Sequence, residues 1–450
     1  MELNNIKRVY LIGIGGIGMS ALARYFHKRG CSVEGYDRTQ TPLTDSLREE
    51  GIEVTYVDSV DEISPAFRTD DPSALIIYTP AIPGSSAILN YFRSKGAILK
   101  KRSEVLGIIS RGMYTVAVAG THGKTTTSTL IAHILTHSNF GCTAFLGGIS
   151  SNYDTNVLFG TNNVLVVEAD EYDRSFLTLH PDIAVVTSMD ADHLDIYGSA
   201  ENVNESFRMF AGQIKENGKL ICKKGLSLDG GISYSASGEA TACAVNVRIE
   251  KGCFVFDFIN DELEIKDIQM PLPGLHNVEN AVGAIQAALL LSISPQKIKA
   301  AIAEFKGVKR RFEYIVRGKS IYIDDYAHHP EELRACLSAA RQLYPDKKLT
   351  VIFQPHLYSR TRDFAEGFAE VLSIADELIL LDIYPARELP IPGVSSEIIF
   401  DRVNSIFKKQ CSKEEALMFI ESENPELLLT AGAGDIDTMV EPLKKILSHA

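Results

Sequence analysis

The chain has 450 residues, of which 45% are hydrophobic and 23% charged, with a formal net charge of −13. That length suits about three domains with sizeable cores. The acidic balance gives no global field to draw in nucleic acid or an anionic membrane, and it leaves small phosphorylated ligands, which loops, lysines and metal ions hold locally. Seven cysteines are scattered without a C-x-x-C pair, which speaks against a disulfide framework or a zinc site and for a reducing cytoplasm. The opening M-E-L-N-N-I-K-R lacks the apolar run of a secretory signal. The longest apolar stretch, Ala281 to Ile293, is too short to span a bilayer and carries Gln286, so no membrane insertion is expected.

In chain order, Val9–Ile12 reads as a buried strand followed by G-I-G-G-I-G and a helix from about Met19 to Lys28. Gly13, Gly15 and Gly18 have G-x-G-x-x-G spacing: a tight turn, close backbone approach to a diphosphate, and helix-on-strand packing. A second strand, Ser32–Tyr36, ends at Asp37, near the place of a ribose-binding acid. Short apolar segments at Glu53–Val57, Ala74–Tyr78 and Ala97–Leu99 continue the strand/helix alternation of a doubly wound parallel sheet. Alone, this fingerprint suits a dinucleotide such as NAD as well as a nucleotide sugar. Thr79, in the turn after the fourth strand, is placed either to reach such a ligand or to shape the turn with Pro80.

A second unit begins near Ser103, and its signal stretch is Val116 to Ile131, V-A-V-A-G-T-H-G-K-T-T-T-S-T-L-I. Strand, glycine turn and helix in that order aim several N–H groups at a phosphate. Lys124 adds a compact charge for the β and γ phosphates, and the Thr125 hydroxyl is a magnesium ligand type. The strict phosphate-loop pattern wants glycine where this chain has Val118, so the loop is a shortened variant. Two further apolar strands, Val164–Val167 and Ile183–Val186, end in E-A-D-E-Y-D and T-S-M-D-A-D-H-L-D. Open α/β sheets collect their chemistry at such strand ends. Glu168 is well placed to ligate Mg²⁺ beside Thr125, while among Asp170, Glu171 and Asp173 one or more is expected to be merely solvated. His193, between Asp192 and Asp195, is a candidate for a second metal ion or an ordinary satisfied histidine. Val245–Met270 alternates like hairpins, and P-L-P-G-L-H-N-V-E-N-A then opens a helix to Leu291. Asn277 and Asn280 share one face of it, suited to a purine edge or to capping.

A third alternation starts near Val308. Strands are expected at Ser320–Ile323, Leu349–Phe353, Glu377–Asp382 and Glu426–Thr430, with a helix at Pro330–Leu343. Polar clusters D-D-Y-A-H-H-P, Q-P-H-L-Y-S-R-T-R and A-G-A-G-D-I follow the strands, so this part too reads as Rossmann-like. Lys408, Lys409 and Lys413 read as a solvated helix face.

Taken together, G-T-H-G-K-T-T-T, E-A-D-E-Y-D, D-A-D-H-L-D, G-L-H-N-V-E-N-A, R-R-F and D-D-Y-A-H-H-P resemble, in sequence and in order, the Mur ligases, the ATP-dependent amide-bond-forming enzymes of peptidoglycan precursor assembly. The resemblance runs from the first strand almost to the C-terminus. It implies three α/β domains: a Rossmann-like UDP-sugar-binding domain at 1–103, a central ATPase with a mostly parallel sheet at 104–307, and a Rossmann-like amino-acid-binding domain at 308–450. It implies that ATP phosphorylates the carboxylate of UDP-N-acetylmuramate and that the amine of L-alanine attacks the resulting acyl phosphate. Closure of the three domains would exclude water. The alternative partner for the same nucleotide sugar is a preformed murein tripeptide. Against an NAD-dependent dehydrogenase stands the second nucleotide loop.

Carried over by motif, UDP-sugar contacts fall on Gly13, Gly15, Gly16, Gly18, Met19, Ser20, Asp37 and Thr79. ATP contacts fall on Gly120, Thr121, His122, Gly123, Lys124, Thr125 and Thr126, with His276, Asn277 and Asn280 facing the adenine. Thr125 and Glu168 would hold the first Mg²⁺ and His193 a second. Arg310 or Arg311 would reach the transferring phosphoryl group, and Tyr326, His356 and Arg360 the amino acid, whose amine has His329 or His356 as candidate base. One departure is visible: Ser188 stands where the family usually has asparagine.

Overall fold

The computed structural model describes residues 3–68, 71–190, 197–250, 253–386 and 388–448. Within these the chain forms three sheets and two compact units. One unit comprises Met1–Arg248, Val255–Met270 and Val278–Lys306, and the other Ile249–Phe254, Pro271–Asn277 and Gly307–Ala450.

The first sheet contains β1 (Arg8–Ile12), β2 (Ser32–Tyr36), β3 (Glu53–Thr55), β4 (Ala74–Tyr78) and β5 (Leu99–Lys101), in the order β3-β2-β1-β4-β5, all parallel. Strand order reverses at β1, so a crevice opens beyond its C-terminal end, where the glycine turn leads into the helix Ile17–Lys28. The fifth strand is two residues later than the apolar pattern places it, because Lys100 and Lys101 extend along the sheet edge.

The second sheet has ten strands: β6 (Tyr114–Ala119), β7 (Thr143–Ser150), β8 (Thr155–Leu158), β9 (Val164–Ala169), β10 (Ile183–Val186), β11 (Lys219–Lys223), β12 (Ile232–Ser235), β13 (Ala242–Glu250), β14 (Cys253–Ile259) and β15 (Glu264–Met270). At its centre β6 lies between β10 and β9, parallel to both. Val116, Ala117, Val118 and Ala119 have no exposure. A strand covered on both faces needs such a continuous apolar run, and each fully buried Val contributes roughly 1.5–3 kcal/mol. The antiparallel β7–β8 pair, with its register shift, has no strong alternation in sequence and was not expected.

The third sheet runs β16 (Glu313–Arg317), β17 (Ile321–Asp325), β21 (Leu427–Ala431), β18 (Leu349–Phe353), β19 (Glu377–Leu380) and β20 (Phe407–Gln410) in spatial order, with only the β16 edge antiparallel. Two expectations are corrected here. Asp324 and Asp325 belong to β17 and are buried, rather than following it. Lys408 and Lys409 lie in the edge strand β20 and not on a helix; the Lys408 ammonium donates to the carbonyls of Phe400 and Val403, at 2.7 and 3.0 Å. Lys413 opens the helix Lys413–Glu423 and pairs with Asp435 at 2.6 Å.

Candidate active site

The first glycine turn is closed by its own sheet. The Gly13 and Ile14 N–H groups donate to the Tyr36 carbonyl at 2.7 and 3.0 Å, and the Gly15 N–H donates to Asp37 Oδ2 at 2.8 Å. Asp37, expected at a ribose, thus already holds the turn with one carboxylate oxygen, and its other oxygen accepts the Thr39 N–H. A Cβ on Gly13 would lie 2.9 Å from the Thr79 methyl, so the turn after β4 packs directly on the cradle. Met19 and Ser20 are buried, and the Ser20 hydroxyl donates to the Ile17 carbonyl and accepts from Asn156. Gly15, Gly16 and Gly18 line the start of the helix, whose first-turn N–H groups favour anions.

The second turn is built from β6 into the helix Lys124–His137. Gly120 has φ +143° and Gly123 φ +83°, conformations that side chains resist. There is also no room: a Cβ on Gly123 would lie 2.8 Å from Asn280 Oδ1, and one on Gly120 would lie 2.8 Å from the Ser188 nitrogen. Asn280 therefore sits against the phosphate turn itself. Residues after β10 brace the turn from below. The His122 N–H donates to Ser188 Oγ at 2.7 Å, the Thr121 and Ser188 hydroxyls bond at 2.9 Å, and the Thr187 hydroxyl donates to the His122 carbonyl. The departure at Ser188 thus falls on a residue that shapes the loop.

Lys124 points back into its loop. Its ammonium donates to the Gly120 carbonyl at 2.6 Å and lies 2.7 Å from Glu171 Oε2. Burial pushes the lysine pKa down, but Glu171 and then Glu168 outweigh it and raise it overall, so Lys124 stays charged. Glu171 is 2% exposed, and none of the acidic residues after β9 is merely solvated: Asp170 pairs with Arg102 and Asp173 with Lys101, both at 3.0 Å. Glu171 was missed as a site residue because its partner lies 47 positions away. The Glu168 carboxylate fills the space over Gly147, where any Cβ would collide with it. Thr125 and Thr126 open the helix and are half-buried. His193, with Asp192 and Asp195, lies outside the described residues; among those described, no cluster of three or more His, Cys, Asp or Glu gathers as a metal site.

In the second unit, His276 packs beneath Gly274, whose missing Cβ would lie 2.7 Å from the ring Nδ1, and the Asn277 amide donates to the Pro273 carbonyl at 2.6 Å. Arg310 is tied down, donating to Asp324 at 2.9 Å and to the Gly432 carbonyl at 2.6 Å. Arg311 is more exposed, with Glu332 at 3.9 Å, and both guanidinium groups lie over the Tyr326 ring, at 5.3 and 5.6 Å. His356 stacks on Tyr384 with centroids 5.8 Å apart, and Arg360 Nη1 lies 3.3 Å from His356 Nδ1. The two adjacent histidines take different places. His329 caps the helix Pro330–Leu343 and packs on Phe364, whereas His328 stands edge-on to both Tyr326 and His356. The His328 Nδ1–H donates to the Tyr326 carbonyl at 2.9 Å, and burial lowers the imidazole pKa, so Nε2 carries a lone pair at neutral pH.

Two glycine cradles, one opened by a lysine held in its own loop, and an Arg/His/Tyr cluster on the third sheet suit a nucleotide-using ligase, and the chain belongs to the Mur ligase family. Its catalytic, middle and glutamate ligase domain profiles match residues 8–114, 118–288 and 310–434. The chain is 49% identical, over the whole of both sequences, to UDP-N-acetylmuramate–L-alanine ligase of Flavobacterium johnsoniae. The solved UDP-N-acetylmuramate-alanine ligase of Thermotoga maritima superposes with a TM-score of 0.81 at 27% identity, covering 98% of each chain. A murein peptide ligase of Psychrobacter arcticus, at 21% identity and TM-score 0.70 over 99% of this chain and 99% of its own, shares the fold.

Proposed function

We propose that this protein joins L-alanine to the carboxylate of UDP-N-acetylmuramate, driven by ATP and with release of ADP and phosphate, in the cytoplasm. The observation that carries the reading is the pair of separate anion cradles, at Gly13–Gly18 and Gly120–Thr125, the second of which opens its helix with a lysine, Lys124, suited to follow a phosphoryl group. A carboxylate is a poor electrophile, because an amine mostly deprotonates it. Phosphorylation turns its oxygen into a leaving group, and transfer between two anions needs charge neutralisation and in-line placement above all.

In this reading residues 1–103 bind the UDP moiety, 104–307 bind ATP and 308–450 bind the amino acid. Lys124 exchanges Glu171 for the β and γ phosphates, which the N–H groups of Gly123, Lys124 and Thr125 cradle. The Thr125 hydroxyl and Glu168 carboxylate are hard oxygen donors of the kind Mg²⁺ takes, and His193 is assigned a second ion. Bound there, Mg²⁺ would supply charge neutralisation on the triphosphate. Arg311 rather than Arg310 reaches the phosphoryl group, since Arg310 is held by Asp324. Arg360 pairs the alanine carboxylate, beside Tyr326 and His356. His328 Nε2 is the favoured acceptor for the ammonium proton, ahead of His356, whose Nδ1 faces Arg360.

The test is phosphate release with all three substrates. Release is expected only when UDP-N-acetylmuramate, ATP and L-alanine are present together. Release with the tripeptide L-Ala-γ-D-Glu-meso-diaminopimelate in place of alanine, and none with alanine, would overturn the assignment in favour of tripeptide addition.

A further inference from the structure

The mechanism above makes no use of Arg102, yet this side chain joins the two cradles. It stands at the junction of β5 with the helix Arg102–Arg111. Its Nη1 lies 2.6 Å from where a Cβ on Gly18 would sit, so the guanidinium is packed against the helix start that closes the first cradle. Its Nη2 donates to Asp170 Oδ2 at 3.0 Å. Asp170 precedes Glu171, and Glu171 clamps Lys124. The loop that carries both is strained, since Asp173 and Arg174 adopt φ +51° and +54° in succession without glycine. Two charged tethers hold it there, Arg102 to Asp170 and Lys101 to Asp173, with Arg174 over the Tyr197 ring at 5.6 Å.

Resting on the reading of the first cradle as a UDP-diphosphate site, we infer that Arg102 is a further diphosphate-binding residue and that it couples occupancy of the two cradles. A diphosphate beside Gly18 offers Arg102 more negative charge than one carboxylate does, with the bidentate geometry a guanidinium favours. Arg102 then leaves Asp170. Freed of that tether, the strained loop relaxes, Glu171 loosens its hold, and Lys124 turns to the ATP phosphates. Coupling of this kind is reciprocal, so each nucleotide tightens the other.

The test is calorimetry on the full chain with UDP-N-acetylmuramate and a non-hydrolysable ATP analogue plus Mg²⁺, each titrated with and without the other. In the wild-type chain each ligand is expected to tighten the other about fivefold or more. Arg102→Gln should weaken the UDP-sugar about tenfold and reduce the coupling to within twofold, and Arg102→Lys should recover part of both. Asp170→Asn should do the opposite to the first ligand, tightening the UDP-sugar several-fold, and should raise the affinity for the ATP analogue alone toward its coupled value. A UDP-sugar affinity unchanged in Arg102→Gln, coupling that survives in it, or weaker UDP-sugar binding in Asp170→Asn would each overturn the inference. Should Arg102→Gln fail to fold, Arg102→Lys and Asp170→Asn decide alone. Failure of the wild-type chain to bind UDP-N-acetylmuramate at all would instead strike the underlying functional reading.

Discussion

The two glycine turns share a plan, strand into turn into helix at a sheet's reversal point, and differ in what stands behind them. The turn after β1 is braced by an acid, Asp37, on the Gly15 N–H, and no lysine opens its helix. The turn after β6 is braced by neutral hydroxyls, Thr187 and Ser188, and opens with Lys124 clamped by Glu171. A cradle that holds a diphosphate is served by N–H donors at the helix start with a cation beside them. One that hands a phosphoryl group on needs, in the turn itself, a charge that follows the group as it moves.

That contrast breaks most sharply at Lys124. Lys124→Ala should cut alanine-dependent phosphate release at least about a thousandfold while leaving UDP-N-acetylmuramate affinity within twofold. Normal turnover by the variant, measured by phosphate release, would erase the distinction between the cradles. The supporting helices differ next. His27, at the end of the first helix, is exposed, whereas His133 in the second is buried, between the Tyr153 hydroxyl and the Ala301 carbonyl. Burial brings the His133 pKa down to about 4. The unfolded chain, with an imidazole pKa near 6.5, therefore takes up the proton first. The stability this residue contributes is intact above about pH 6.5 and is lost as pH falls toward 4, by ~3 kcal/mol in all. Urea midpoints between pH 7.5 and 4.5 should fall more steeply for the native chain than for His133→Gln.

Smaller effects sharpen the same comparison. Glu168→Ala should raise the Mg²⁺ concentration for half-maximal activity by about 10- to 100-fold, and an unchanged titration would reject Glu168 as a ligand. Asp37→Ala should weaken UDP-N-acetylmuramate about tenfold, read by calorimetry, with affinity for the ATP analogue alone unaltered.

Much of this was legible in the sequence because the signals are local. G-I-G-G-I-G and G-T-H-G-K-T-T-T place strand, turn and helix within a few residues, and apolar runs such as Val116–Ala119 announce strands buried on both faces. What stayed hidden is set by partners far apart in the chain. Glu171 looked like one of several turn acids until folding put it on Lys124, and no local pattern singles out Arg102, whose partner Asp170 lies far along the chain. His328 and His329 are adjacent, and only the start of the helix at Pro330 decides which one caps and which one faces His356. Lys408 and Lys409 misled because an edge strand presents lysines as readily as a helix surface does.

Asn156, on β8 with no exposure, hooks the first helix by three bonds: its amide donates to the Ile17 carbonyl and the Ser20 hydroxyl, and its oxygen accepts from Arg24. A gene fragment ending near position 103 would strip that latch away and bare the apolar flank of the helix it grips. Chimeras that exchange the N-terminal five-stranded sheet and its helices between relatives should therefore succeed only when the β7–β8 hairpin is transplanted with them, making the two segments a single heritable cassette.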